Sequence, residues 1–298
     1  MPEKVLVMGA GLLGSAIIEQ ASGRFEVHSA DIDPACVRPG AELHVLDVTV
    51  KKAVIELITS LRPAAVFNTA GLSDPERCEV DKDIALKVNG TAAGYVAMAC
   101  ARVDAYLCHL STDQVFNGKK GLYREDEPTR PVNSYGGSKL LGETEVGCLG
   151  DRWKWSVCRT SMPYGAARRP SNTLSALLTD LKAGRSVKGL TDVVGCPTLA
   201  DDLAQACLEL WQKNARRIFH VCGREAASHF DLALRACEVF GLDRSLVVPA
   251  QSGELKLRAQ RPPDTSLDIS KTEKCLGRRM LDVKEGLLKM RARMNNEP

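Results

Sequence analysis

Residues 4 to 8, Lys-Val-Leu-Val-Met, read as a short buried strand, and Gly9-Ala-Gly11-Leu12-Leu13-Gly14 follows without a spacer, opening an apolar helix through Ile17, Ile18 and Ala21. A chain that leaves a strand through three glycines at this spacing and enters a helix is confined to a narrow set of α/β folds. Gly9 permits the tight turn, Gly11 lets backbone approach a pyrophosphate, Gly14 allows close helix packing, and the helix N-terminus favours the anion. A second strand, residues 25 to 30, ends at Asp31, 17 residues past Gly14. A carboxylate there would accept hydrogen bonds from the adenosine ribose and repel a 2′-phosphate, so NADH is expected in preference to NADPH. Arg38 nearby keeps NADPH as the alternative. With Leu12, Leu13 and Ile32, these residues make the first half of a predicted dinucleotide site.

Strand and helix continue to alternate. Residues 43 to 48 read as a short strand whose end, Asp47-Val48, would flank adenine, and residues 51 to 61 as an amphipathic helix ending before Pro63. The strand 64 to 68 runs into Thr69-Ala70-Gly71-Leu-Ser73, small residues at a strand's carboxyl end, where an open parallel sheet places its ligand. A long helix is expected over 82 to 101, its Asn89-Gly90 either a helix irregularity or a reach toward the cofactor cleft. Then come a strand over 105 to 110, a polar loop, a helix over 134 to 147 and a strand over 154 to 159. This order predicts a Rossmann-type, doubly wound parallel sheet. Beyond residue 165 the periodicity loosens, giving a nucleotide-binding domain over 1–165 and a smaller substrate-binding portion over 166–298, partly interleaved with the sheet. Helices are expected there over 172 to 184, 201 to 213 and 229 to 241, and a strand over 218 to 221.

The chemistry concentrates in Ser111-Thr112-Asp113-Gln114 and Tyr135-Gly-Gly-Ser-Lys139. On a helix, Tyr135 and Lys139 stand one turn apart on one face. A free phenol holds its proton too tightly for good acid catalysis at neutrality, and a neighbouring ammonium would lower its pKa. Thr112, at a strand's end, would aim its hydroxyl at the same carbonyl oxygen. Alone, a tyrosine with a lysine four places on is an ordinary pair on a solvated helix; the dinucleotide signature ahead of it turns the reading toward proton donation.

Among 298 residues, 40 are basic and 37 acidic, with no basic tract, so no nucleic-acid partner is expected. The amino terminus shows no signal-peptide pattern and no apolar run approaches 18 residues, which predicts a cytoplasmic protein without a membrane partner. Eleven cysteines lie far apart without a Cys-x-x-Cys pair and read as reduced core thiols, and the histidines at 28, 44, 109, 220 and 229 show no metal-ligand spacing, so no metal site is expected.

In an ordered series, Asn68-Thr-Ala-Gly with Glu76 and Glu79, Ser111-Thr-Asp-Gln-Val-Phe-Asn-Gly118, Pro131 through Tyr135-Gly-x-Ser-Lys139-Leu-x-Gly-Glu143, Arg159-Thr-Ser, Gly195-x-Pro-Thr198 with Asp202-Leu-Ala, and Arg261-Pro with Leu267-Asp268, the chain resembles the extended short-chain dehydrogenase/reductases and, among them, the dTDP-4-dehydrorhamnose reductase family. The resemblance spans nearly the whole length. It implies hydride transfer from a nicotinamide to the C4 keto group of a nucleotide-activated deoxysugar, with Thr112, Tyr135 and Lys139 as the catalytic set and Ser111, Asp113, Gln114, Met162, Asn172, Thr198 and Arg261 toward the substrate. By charge, Arg168 and Arg169 join Arg261 as candidates for the sugar nucleotide's diphosphate. Gln114 and Met162 stand where the family usually carries tyrosine and tryptophan, the glycine loop is one residue shorter than is usual, and Ala16 replaces a glutamate linked to a magnesium-bridged dimer, so no magnesium is expected.

Two other functions resemble this one in sequence. An epimerase uses the same tyrosine and lysine without net cofactor turnover, whereas a dehydratase needs an acid where Gln114 stands. A non-catalytic nucleotide-binding subunit, like the regulatory beta subunit of methionine adenosyltransferase, keeps the fold and the nucleotide site. The helices over 82 to 101 and 134 to 147 could pair in a homodimer.

Overall fold

The computed structural model describes residues 2–36, 38–166 and 173–296. Strand β1 (Lys4–Met8) leads through the glycine loop into α1 (Leu12–Ala21), followed by β2 (Glu26–Asp31), β3 (Ala41–Val45), α2 (Lys51–Leu61) and β4 (Ala65–Asn68). Val5, Leu6, Val7 and Met8 are all fully buried. A parallel strand covered on both faces needs such a continuous apolar run and not an alternating one. Asp47 and Val48 lie past the end of β3, where Asp47 accepts from the Thr49 backbone and hydroxyl at 2.8 Å and shapes the turn into α2.

Next come α3 (Pro75–Val80) and α4 (Lys82–Ala85), a π-helical turn over Leu86–Thr91, and α5 (Ala92–Val103). The expected single helix over 82 to 101 is therefore interrupted where Asn89-Gly90 stands. By length and composition Lys82–Val103 could cross a membrane, but half of its most apolar window is buried, packed against α2 and the sheet. It is a core helix here.

The chain continues through β5 (Tyr106–Thr112), α6 (Ser134–Gly147), β6 (Trp155–Thr160), β7 (Pro163–Tyr164), α7 (Thr173–Lys182), β8 (Val187–Leu190), β9 (Val194–Gly195), β10 (Thr198–Leu199), α8 (Ala200–Gln212) and β11 (Arg217–His220). The last elements are β12 (Ala227–Ser228), α9 (His229–Phe240), β13 (Val247–Ala250), α10 (Ser270–Leu276) and α11 (Val283–Asn296). Seven strands form one sheet in the order β11-β6-β5-β4-β1-β2-β3, and every pairing in it is parallel. From β1 the chain winds outward in one direction to β3 and from β4 in the other to β11. The carboxyl ends of β1 and β4 thus open the crevice in which such sheets hold a ligand.

One face of the sheet is covered by α1 and α8, with Ile17, Ile18, Leu203 and Leu210 in the core. The other carries α2, α5 and α6, with Val54, Ile58, Val96 and Val146. Beyond residue 166, α8 and β11 return to the main sheet. The segment through α10 also packs on the core under α1 and α8, with Leu267, Ile269 and Leu276, while α7, α9 and α11 build a satellite cluster around Leu174, Leu178, Leu232, Ala236, Leu287 and Met290. Two backbone hydrogen bonds, Asp264 to Gly118 (2.9 Å) and Tyr123 to Ser266 (2.9 Å), fasten the late segment 264–266 to the loop after β5.

Candidate active site

The glycine loop is built by close approach. Gly9 has φ of +89°, and a β-carbon there would lie 2.7 Å from the Ala70 backbone. One on Gly14 would collide with the Gly9 carbonyl. Thr69 seals the turn by donating its hydroxyl to the Gly9 carbonyl at 2.6 Å. At exposed Gly11 no other part of the protein lies within 4 Å of a β-carbon, so the first turn of α1 opens onto space that the chain does not fill. An exposed glycine backbone at a helix N-terminus fits a dinucleotide's diphosphate.

Asp31 and Arg38 both hold this loop. One Asp31 oxygen accepts from the Ala10 backbone at 2.7 Å and the other from Asp33 at 3.0 Å. Arg38 donates to the Ala10 carbonyl at 3.0 Å and to the Ser15 hydroxyl at 2.6 Å. A carboxylate that disfavours a 2′-phosphate and a guanidinium that favours one therefore sit on the same loop residue. Ile32 beside them is exposed, while Leu12 and Leu13 pack on the core.

The amide of Asn89 faces Leu72, accepting from its backbone N–H at 2.8 Å and donating to its carbonyl at 3.0 Å, with a further bond to Ser138 at 2.9 Å. The π turn supplies the extra residue that swings this side chain inward. Asn89 marks the helix irregularity that the sequence offered, and its side chain ties Leu72 to Ser138 of α6.

Thr112 ends β5, and Tyr135 and Lys139 rise from the first turns of α6. The ammonium of Lys139 comes within 3.7 Å of where a β-carbon of Gly71 would stand. Thr112 directs its single hydroxyl proton to Asp113 at 3.0 Å and accepts from the Gln114 backbone at 3.2 Å. Asp113 is buried and also accepts from Ser161 (2.7 Å) and Thr265 (2.5 Å). Burial raises its pKa, against the pull of these three hydroxyls.

The expectation that Lys139 acidifies the phenol is corrected by the structure. Burial of the Tyr135 hydroxyl dominates and raises its pKa, opposed by a hydrogen bond with Thr112 and reinforced by Asp113. Burial likewise pushes the Lys139 ammonium down to about 8, opposed by Glu143 and Cys78.

Several side chains expected at the substrate have partners inside the protein. Ser111 points away from the cleft and donates to Glu143 at 2.5 Å, because a strand alternates its side chains and Thr112 takes the other side. Thr198 is fully buried, donating to the Ser161 and Cys196 carbonyls and accepting from the Gly223 backbone. Arg261 pairs with Glu76 at 2.9 Å. Gln114 accepts from Asn133 at 2.8 Å, which ties it to the cap of α6, and Met162 has φ of +44° and packs partly on the satellite cluster. Arg168, Arg169 and Asn172 lie outside the described residues.

Glu79, Glu143 and Arg159 stood in the motif series, but their partners were not visible in the sequence. Glu79 accepts from the backbone and hydroxyl of Ser134 at 2.6 and 2.9 Å, and these bonds hold its carboxyl below the usual range. Arg159 grips Glu143 with two bonds of 2.9 and 2.7 Å, and its guanidinium lies over the Phe116 ring. Asn133 accepts from Gly136 at 2.8 Å as the N-cap of α6; an asparagine just ahead of a helix was the one legible hint.

A doubly wound parallel sheet with a glycine loop at its switch point, and with threonine, tyrosine and lysine at the carboxyl edge beside it, defines a nicotinamide-dependent oxidoreductase of the short-chain type. More narrowly, the chain belongs to the RmlD substrate binding domain family, whose model matches residues 3–296. It is 33% identical over 281 residues to the probable low-salt glycan biosynthesis reductase Agl14 of Haloferax volcanii, covering 91% of each chain. It is also 30% identical over 279 residues to the methionine adenosyltransferase 2 subunit beta of Pongo abelii, covering 91% of this chain and 81% of that one. The structure of dTDP-4-dehydrorhamnose reductase from Bacillus anthracis in complex with NADP superposes with a TM-score of 0.89 at 26% identity, covering 98% of this chain and 100% of that one.

Proposed function

We propose that this protein reduces the 4-keto group of a nucleotide-activated deoxysugar with NADH or NADPH, a dTDP-4-dehydrorhamnose reductase-like activity. The reading is supported by the Lys139 ammonium close to Gly71, with Tyr135 one turn before it on α6 and Thr112 at the end of β5, on a sheet whose switch point carries the glycine loop. When bound, the nicotinamide supplies the hydride for the carbonyl carbon. Tyr135 delivers its phenolic proton to the carbonyl oxygen, and its raised pKa keeps that proton in place through neutral pH until the oxygen becomes basic. Lys139 lies one turn further along α6 and stabilises the phenolate that remains. Thr112 turns its hydroxyl from Asp113 to the same oxygen and shares the developing charge. Gln114, Met162 and Arg261 are the described candidates for contact with the sugar nucleotide, and residues 1–165 hold the cofactor with Asp31 favouring NADH. Ser111 and Thr198 serve the architecture.

The likeness to the Pongo abelii subunit supports a second reading, a nucleotide-binding protein without turnover. Absorbance of the reduced nicotinamide, followed with a dTDP-4-keto-6-deoxysugar and with NADH and NADPH in separate runs, separates the two. Oxidation is expected, faster with NADH, and Tyr135→Phe should lower kcat by about 10²–10⁴-fold with little change in cofactor affinity. Tight cofactor binding without oxidation would favour the second reading, and a Tyr135→Phe variant as fast as wild type would sink the proton-donor assignment.

A further inference from the structure

His28 lies on β2 and Glu42 and His44 on β3, the edge strand of the sheet. The parallel register sets His28 against Glu42 and Ala30 against His44. Since alternate residues of a strand share a face, the three side chains meet on one side of the sheet. The His28 Nδ1 atom lies 3.1 Å from His44 Nε2 and 3.5 Å from a Glu42 oxygen, and the other Glu42 oxygen is 4.0 Å from His44 Nε2. An ion bound tetrahedrally at ordinary zinc–nitrogen and zinc–oxygen distances needs donors about 3.3 Å apart.

The far side of His28 supplies a second, independent observation. Its Nε2 lies 3.1 Å from a Glu26 oxygen, and the same carboxylate oxygen is 3.6 Å from Lys4. A carboxylate behind a histidine keeps the ring proton on that nitrogen, so the Nδ1 lone pair faces the cluster. His28 is only 5% exposed, whereas the Glu42 side chain is 69% exposed, so an anchored ligand meets one that opens to solvent.

We propose that His28, Glu42 and His44 bind a borderline transition-metal cation of the zinc class, with water in the remaining position. Imidazole with a carboxylate suits Zn²⁺, Co²⁺ or Ni²⁺ and not Mg²⁺. In the ion-free chain His44 holds its ring proton on Nε2, toward His28 Nδ1; when the cation takes that place the proton passes to His44 Nδ1, so both rings bind as neutral imidazoles with no net proton released. The rings are inclined at 28° with centroids 5.3 Å apart, and binding asks His44 to tilt so that both lone pairs converge. The ion fastens the edge strand to β2, below the segment that carries Asp31 and Arg38.

The test uses the full chain, stripped of metal with a chelator and titrated with Zn²⁺ by calorimetry, with Co²⁺ as the spectroscopic probe. One ion per chain is expected, with a rise in Tm of roughly 5 °C at saturating Zn²⁺. Affinity should fall about a hundredfold in His44→Gln and about tenfold in Glu42→Gln, with no response to Mg²⁺. Co²⁺ should show visible d–d bands without sulfur-to-metal charge transfer, a readout that stands even if His44→Gln fails to fold. No uptake, or uptake unchanged in a folded His44→Gln, would overturn the proposal. So would a thiolate charge-transfer band, which would assign the ion to buried Cys108, Cys158 and Cys207, whose sulfur atoms lie within 4.8 Å of one another.

Discussion

Lys139 is a residue where burial and chemistry oppose one another. Its ammonium is expelled from water and its pKa falls to about 8, with Glu143 and Cys78 pulling the other way. Below pH 8 the lysine is charged in both the folded and the unfolded chain, and the folded state carries the whole cost of burying it. Between pH 8 and about 10.5 the folded chain has released the proton that the unfolded chain still holds, so this cost fades as pH rises. Lys139→Met should therefore abolish turnover and yet stabilise the fold, by up to about 3 kcal/mol below pH 8 and by little above pH 10.5. Denaturant melts of both proteins across that range check it; a gain that grows with pH would contradict the assignment. At Tyr135, too, burial outweighed the opposing influence, a hydrogen bond with Thr112. The sequence placed tyrosine and lysine on one helix face, but it carries no measure of the depth at which that face sits.

Helix α6 shows how much of a site belongs to its elements. Its span, Ser134–Gly147, matches the helix expected over 134 to 147, and Asn133 caps its start. Its attachment was not readable. Glu79 from α3, Gln114 after β5 and Arg159 from β6 reach it from distant parts of the chain, and no local pattern pairs them. The sequence offered a helix irregularity at Asn89-Gly90, but that it is a π turn aiming the Asn89 amide at Leu72 and Ser138 depends on packing. Removing this amide leaves the Leu72 backbone without its side-chain partner. Asn89→Ala is expected to cost about 1–3 kcal/mol of stability and to weaken cofactor binding, while Lys139 and Tyr135 stay intact. Chemical denaturation and a cofactor titration measure the two effects; cofactor affinity equal to wild type would show that the Gly71–Ser73 edge needs no such tether.

At the scale of the molecule, the Glu143–Arg159 pair joins α6 to β6 beneath the site, with the side chains 5% and 3% exposed. A buried charge left alone is costly, whereas replacing both members with apolar residues can be nearly neutral. Glu143→Leu should lose about 3–5 kcal/mol, and Glu143→Leu combined with Arg159→Met should recover most of it. Equal losses in the single and double variants, measured by urea unfolding, would show that the pair's contribution is packing and not charge.

From the sequence alone came the alternating order of strands and helices, the glycine loop with Asp31, and Thr112, Tyr135 and Lys139 as a set. All of these are local signals, written within a turn or a strand or in short motifs. Register and packing depth decided the rest. They turned Ser111 and Thr198 inward and gave Arg261 a carboxylate partner. They also brought Cys108, Cys158 and Cys207 together and the rings of His28 and His44 within 3.1 Å across two strands, although each residue carries no ligand spacing of its own. A side chain's type is fixed by the chain, but its partner across a sheet depends on which strands pair and in what register, and that follows from burying the whole core at once.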